Sequence, residues 1–296
     1  MSGGSAIRSF LTVVKQHKAA AFKTIRVLFF LACCVLIWNY IRQNPEAIGR
    51  MASASHRSGF YQWLVPVLLL APLNWYLESE KFRLLVTRLS PIGRLNSFRA
   101  YLTGTAVSLF TPNRSGEFAG KVLYLPPAHR AEGALLAIVG STAQLLVTIQ
   151  AGCVALPLLY NSTNLVLMLV LAGLAGSLLW FFLPEIAKAI THVRLPNSIR
   201  SAIAALTQVT YIQRSSVWAL SVLRYMVFCL QQLLLFRVFG AESDPQVLLP
   251  LIASVYLVSS LVPNIGIAEL AFRNAISLYL YADAGIDMAT VYTVTT

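Results

Sequence analysis

Long apolar blocks constrain this chain more than any other feature. Residues 25–41, 61–77, 134–160, 165–183 and 217–239 each approach or reach the length of a membrane-crossing helix, which needs roughly 20 mainly apolar residues to traverse a ~30 Å hydrocarbon core. A sixth block, 247–281, is equally apolar but is interrupted by Pro263-Asn264-Ile265-Gly266. The chain is 57% hydrophobic and 11% charged, with its apolar residues in blocks, and a soluble core cannot absorb that. The expectation is an all-α, polytopic helical membrane protein.

A net charge of +12 would suggest nucleic acid for a soluble protein. Its distribution instead assigns it to a membrane surface and excludes nucleic acid as a partner. Lys and Arg gather in residues 8–26, 81–99 and 188–214, whereas 161–164 and 240–246 hold none. Under the positive-inside rule the rich segments are cytoplasmic, which predicts a cytoplasmic (inner) membrane protein with its N-terminus inside. Arg42, Arg50 and Arg57 in the first outer loop run against that pattern. Residues 1–24 read as a basic, amphipathic cytoplasmic arm and residues 25–296 as the transmembrane domain. Segments 81–99 and 184–216 read as interfacial, gripping the anionic leaflet, with a short amphipathic helix at 199–206. The final apolar stretch from Met288 covers only about half a crossing and reads as an incomplete span. Ala52-Ser53-Ala54 lies too far beyond the first apolar block for a signal-peptide site. Cys33, Cys34, Cys153 and Cys229 sit inside apolar blocks without disulfide or zinc spacing.

Two places break the helical pattern in the same way. Residues 100–110 make a half-span of ~16 Å that runs into Thr111-Pro112-Asn113-Arg114-Ser115-Gly116-Glu117. In the last block Pro263-Asn264-Ile265-Gly266 leads to Glu269. Each acid precedes a base by four residues, Glu117 to Lys121 and Glu269 to Arg273, which is the favourable helical pairing. Irregular backbone at membrane depth survives only when buried in protein or lining a wet cavity. The breaks at Pro112, Asn113 and Gly116, and at Pro263, Asn264 and Gly266, therefore predict two re-entrant or broken helical hairpins entering from opposite faces. Such a pair forms an inverted repeat, packed together across an axis in the membrane plane. Arg224, deep in the block 217–239, is a further intramembrane charge, whereas Arg237 reads as snorkelling to the interface.

The stretches NWYLESEKFRLL (74–85), FTPNRSGEFAGKVLYL (110–125) and LVPNIGIAELAFRNAISLYL (261–280) resemble the transmembrane-region family of lysylphosphatidylglycerol synthases, whose stand-alone members are called flippase-like proteins. The likeness runs from about Trp63 onward. It implies a domain that moves a charged phospholipid or glycolipid headgroup between leaflets. Bifunctional relatives carry a soluble aminoacyl-transferring domain after the membrane part; with none here, lysine transfer is not expected. The family's acid and base positions carry over to Glu117, Lys121, Glu269 and Arg273, with Arg114 a weaker match.

The residues themselves point to transport more than to catalysis. His17, His56, His129 and His192 are scattered, and no metal-ligand spacing, Ser-His-Asp set, P-loop or dinucleotide fingerprint occurs. No enzyme activity, catalytic residue, metal or cofactor is therefore expected, and transport would be facilitated or ion-coupled. Glu117 and Glu269 would define a central polar site, with Lys121, Arg273 and Arg224 attracting the lipid phosphate. The expected partners are anionic phospholipids or glycolipids, with a homo-oligomer or an envelope enzyme left open. Two other classes stand beside this one. One is a non-transporting scaffold or regulator of envelope lipid enzymes. The other is a membrane-bound transferase using Glu78 and Glu80, whose plainer reading is a helix end flanked by Lys81 and Arg83.

Overall fold

The computed structural model describes residues 53, 56, 59–108, 111, 115–160, 163–190, 197–241, 244–261, 267–281, 286 and 288–295. The arm 1–24, the first apolar block 25–41, Pro112, Asn113, Arg114, Pro263, Asn264 and Gly266 lie outside the described residues. Every regular element described is helical. In order these are α1 (Phe60–Val86), α2 (Arg94–Ser108), α3 (Gly116–Val122), a 3₁₀ turn (Pro127–His129), α4 (Arg130–Tyr160), α5 (Thr163–Phe181) and α6 (Leu183–Ile190). There follow α7 (Asn197–Thr207), α8 (Tyr211–Val238), α9 (Pro245–Leu261), α10 (Ile267–Tyr281) and α11 (Met288–Thr295).

The ends of α8 show how local sequence sets a boundary. At its start the Thr210 hydroxyl accepts the Gln213 N–H while the Gln213 side chain accepts the Thr210 N–H, a reciprocal capping box. At its end Gly240 takes φ 83°, open to a residue without Cβ. There Ala241 N–H reaches Phe236 O at 2.9 Å and Gly240 N–H reaches Arg237 O at 3.1 Å, so the last carbonyls are satisfied.

Helices α1 and α8 run antiparallel. Gln213 Nε2 donates to Leu84 O (2.7 Å) at one end and Gln231 Nε2 to Val67 O (3.1 Å) at the other. Helix α4 packs along α9 and, antiparallel, along α5, where Trp180 Nε1 donates to Val139 O and Gln150 Nε2 to Ser177 Oγ. Two apolar clusters form. One includes Phe82, Leu85, Val86, Leu136 and Val217, the other Phe236, Leu251, Ile252, Val255 and Tyr281. Along α8, Ser221 and Arg224 lie between Val217 of the first cluster and Cys229 of the second.

Outward faces are apolar. Leu69 is 66% exposed and Met168 72%. Exposure of this kind is costly in water and stable in lipid. Two described helical stretches, Pro127–Leu156 and Tyr211–Val238, are long and apolar enough to cross a bilayer. A third candidate is Leu167–Phe181 continued by Leu183–Ala189 through a 60° bend. Arg214 holds that bend with a two-pronged ion pair to Glu185 (2.8 and 2.9 Å) and a hydrogen bond to Phe181 O.

Several sequence expectations change here. Residues 81–86 belong to α1, which continues to Val86 and buries Lys81 completely. Lys81 pairs with Glu78 inside the protein and so does not reach the headgroups that the reading of 81–99 gave it. The half-span at 100–110 is in fact α2, which begins at Arg94 and runs 15 residues, ~22 Å of rise. The amphipathic helix expected at 199–206 is α7, and the apolar blocks 134–160 and 165–183 are α4 and α5 within a few residues.

Candidate functional site

The first broken element is an antiparallel pair of short helices, α2 and α3. Its closeness comes from two glycines. A Cβ on Gly120 would fall 2.5 Å from Gly104 Cα, and one on Gly104 would fall 2.6 Å from Glu117 O. The backbones therefore touch where any other residue would hold them apart. Thr111 Oγ1 accepts the Gly116 N–H (2.7 Å) across the turn, and Thr103 and Tyr124 hydroxyls meet at 3.2 Å. This contact aims Lys121 from a seven-residue helix into the protein interior.

Inside, Lys121 Nζ lies 2.7 Å from Glu117 Oε1 and 3.0 Å from Glu78 Oε1. Glu78 Oε2 takes Lys81 Nζ at 2.8 Å and Arg224 Nη1 at 3.3 Å. Lys81 also donates to Gln144 Oε1 (3.2 Å) and Ser221 Oγ (3.3 Å), and Arg224 Nε donates to Asn74 Oδ1 (2.9 Å). Arg224 lies 4.9 Å from the Phe228 ring and Lys121 5.6 Å from that of Tyr101, a placement that attracts cations to aromatic faces. Helices α1, α3, α4 and α8 are thus bolted together by one ionic cluster. It has three cations and two carboxylates, so the described groups leave one positive charge uncompensated.

A cavity of about 450 Å³ adjoins the cluster. Tyr101 and Thr105 of α2 line one side, Tyr256 and Ser259 of α9 and Arg273 of α10 the other, and Arg224 and Gln231 of α8 also face it. The expected meeting of the two breaks falls on Pro112, Asn113, Pro263, Asn264 and Gly266, which lie outside the described residues. Among the described residues the α2–α3 pair packs on α1 and α4, α9 packs on α4, and residues of α2, α9 and α10 line the same cavity.

Of the residues singled out from sequence, the structure brings together Glu117, Lys121 and Arg224 in the cluster and Arg273 at the cavity. Gly116 opens α3 as expected. Glu269 lies on α10, its side chain outside the described residues, as is Arg114. Sequence reasoning missed Asn74, Lys81, Gln144 and Ser221, and it read Glu78 as a helix end. A signal existed: Asn74, Glu78 and Lys81 fall at i, i+4 and i+7, and Ser221, Arg224, Phe228 and Gln231 at i, i+3, i+7 and i+10. Each set makes one helix face. No group of metal-binding side chains occurs among the described residues.

Apolar outward faces around a buried ionic cluster define a helical integral membrane protein with a polar centre. The chain belongs to the lysylphosphatidylglycerol synthase TM region family, which matches residues 20–296 and so begins upstream of the motif likeness noted from Trp63. Membership makes it a membrane protein of lipid-related function. No curated protein and no solved structure matches the chain.

Proposed function

We propose that this protein moves a lipid with a charged phospholipid or glycolipid headgroup between leaflets. The uncompensated positive charge beside a headgroup-sized cavity carries this reading. Each cation has a carboxylate neighbour, but the cluster's net positive charge favours a further anion, and an anionic phosphate entering the cavity would supply it. At about 450 Å³ the cavity is within the ~300–1,000 Å³ of ligand pockets. It admits a headgroup and leaves the acyl chains in the bilayer. In this reading the α2–α3 and α9–α10 elements are the halves of an inverted repeat, re-entrant from opposite faces, and the cavity between them alternates in access.

Neutralising Arg224 or Glu117 (Arg224→Gln, Glu117→Gln) should slow the movement of tail-labelled lipid in proteoliposomes by at least ~10-fold, equivalent to ~1.4 kcal/mol of barrier, while insertion is retained. Wild-type rates in both variants would reject the transport role and favour a scaffold or regulator of envelope enzymes.

The same reading places the protein in the cytoplasmic membrane with its N-terminus inside, on the strength of the Lys and Arg distribution. With native cysteines removed, single cysteines at Ser162 and Ser243 should label from outside intact cells. Protection of both positions would reverse the orientation.

A further inference from the structure

We infer that the cavity takes an anionic, hydroxyl-bearing headgroup, a phosphate ester of a polyol or sugar, and disfavours a headgroup made cationic by an amine or aminoacyl group. This rests on the reading that a lipid headgroup occupies the cavity.

Asn74 carries the inference furthest. It is 3% exposed, and its Nδ2 has no hydrogen-bond partner among the described groups. A guanidinium only donates, so the atom 2.9 Å from Arg224 Nε must be the amide oxygen. That fixes the amide and leaves its N–H₂ as an unmet donor in a residue that lines the cavity. An unmet buried donor is costly, and an anionic oxygen relieves it. Arg224 spends Nε on Asn74 and Nη1 on Glu78, with no described partner at Nη2. Arg273 faces the same space from α10, and no carboxylate occurs among the described lining residues. An ammonium placed here would meet two guanidiniums in a low-dielectric setting, where like charges repel strongly.

The remaining lining suits hydroxyls. Ser259 Oγ is buried without a described partner, and Gln231, whose Nε2 donates to Val67 O, brings an amide oxygen acceptor to the cavity lining. A polyol both donates and accepts, so one group satisfies both. Trp75, Tyr101 and Tyr256 add ring faces for the C–H surface of a sugar or glycerol.

The test uses the full-length purified chain and two measurements with dioctanoyl and tail-labelled lipids: phosphatidylglycerol, phosphatidylinositol, lysyl-phosphatidylglycerol and phosphatidylethanolamine. By native mass spectrometry the first two should bind at least ~10-fold more tightly than the last two, and transfer rates in proteoliposomes should rank likewise. Asn74→Leu should weaken binding of the anionic lipids several-fold. Arg273→Glu should shift the ranking toward the lysyl ester, which a merely structural role would not do; Arg200→Gln on α7 should leave it unchanged. Should Asn74→Leu fail to fold, Ser259→Ala, expected to weaken phosphatidylinositol more than phosphatidylethanolamine, keeps the test open. Selective binding without any transfer would uphold this inference and reject transport. Equal or tighter binding of the lysyl ester, or no selective binding, would overturn the inference whatever the transfer rates.

Discussion

Replacing Glu78 with Gln is expected to destabilise the protein by about 3–5 kcal/mol, the cost of stranding buried charges when one partner is removed. Glu78 is the common partner of Lys81, Lys121 and Arg224, the two lysines being almost fully buried. With a neutral amide there, three cations would share the single carboxylate of Glu117. The measurement is the shift in unfolding midpoint of the solubilised protein. Adding Lys81→Met to Glu78→Gln returns the cluster to its original net charge and should recover part of the loss. Glu80 provides the contrast. Glu80 is also buried, but its partners Arg83 and Arg94 are 24% and 73% exposed and can turn to water when the carboxylate is lost, so Glu80→Gln should cost clearly less than Glu78→Gln. Equal losses at 78 and 80 would mean that the cluster is not the keystone described above.

Gly120→Val should cost about 3 kcal/mol and open the α2–α3 pair, since overpacking is costly where the obstacle cannot move. Its Cβ would meet Gly104 Cα at 2.5 Å and Thr103 O at 2.9 Å, backbone atoms with no rotamer to change. Separation of the helices would also draw Lys121 away from Glu78, so lipid transfer should fall together with stability. The distance between spin labels placed at Thr103 and Tyr124, whose hydroxyls are 3.2 Å apart, should lengthen beside Gly120→Val. Gly93→Ser is the control. A Cβ there meets nothing within 4 Å, and Gly93 O accepts the Ser97 N–H at the start of α2, where serine caps well and should change stability by only a few tenths of a kcal/mol. A Gly120→Val protein with the parent's stability and label distance would refute the close crossing.

How much was legible follows from how far each signal reaches along the chain. Membrane residence and helical class were fully legible, because span-length apolar blocks such as 134–160 and 217–239 have no stable alternative in lipid or water. The break at Gly116 and the pairing of Glu117 with Lys121 were legible too, since an i to i+4 contact is made within one helix. Where Lys121 points was not: that depends on Gly104 and Gly120 touching across a turn. Glu78 and Lys81 were misread for the same reason. Their Lys- and Arg-rich neighbourhood looks cytoplasmic in one dimension, and only Lys121, Gln144, Ser221 and Arg224, brought in by other helices, make burial affordable. The sequence alone determined that the chain lives in a membrane as helices and that it carries charges there. Tertiary structure decided which charges meet and that a cavity stays open between the two broken elements, because the free energy of a buried charge is set by the partners within a few ångströms, and those come from distant parts of the chain.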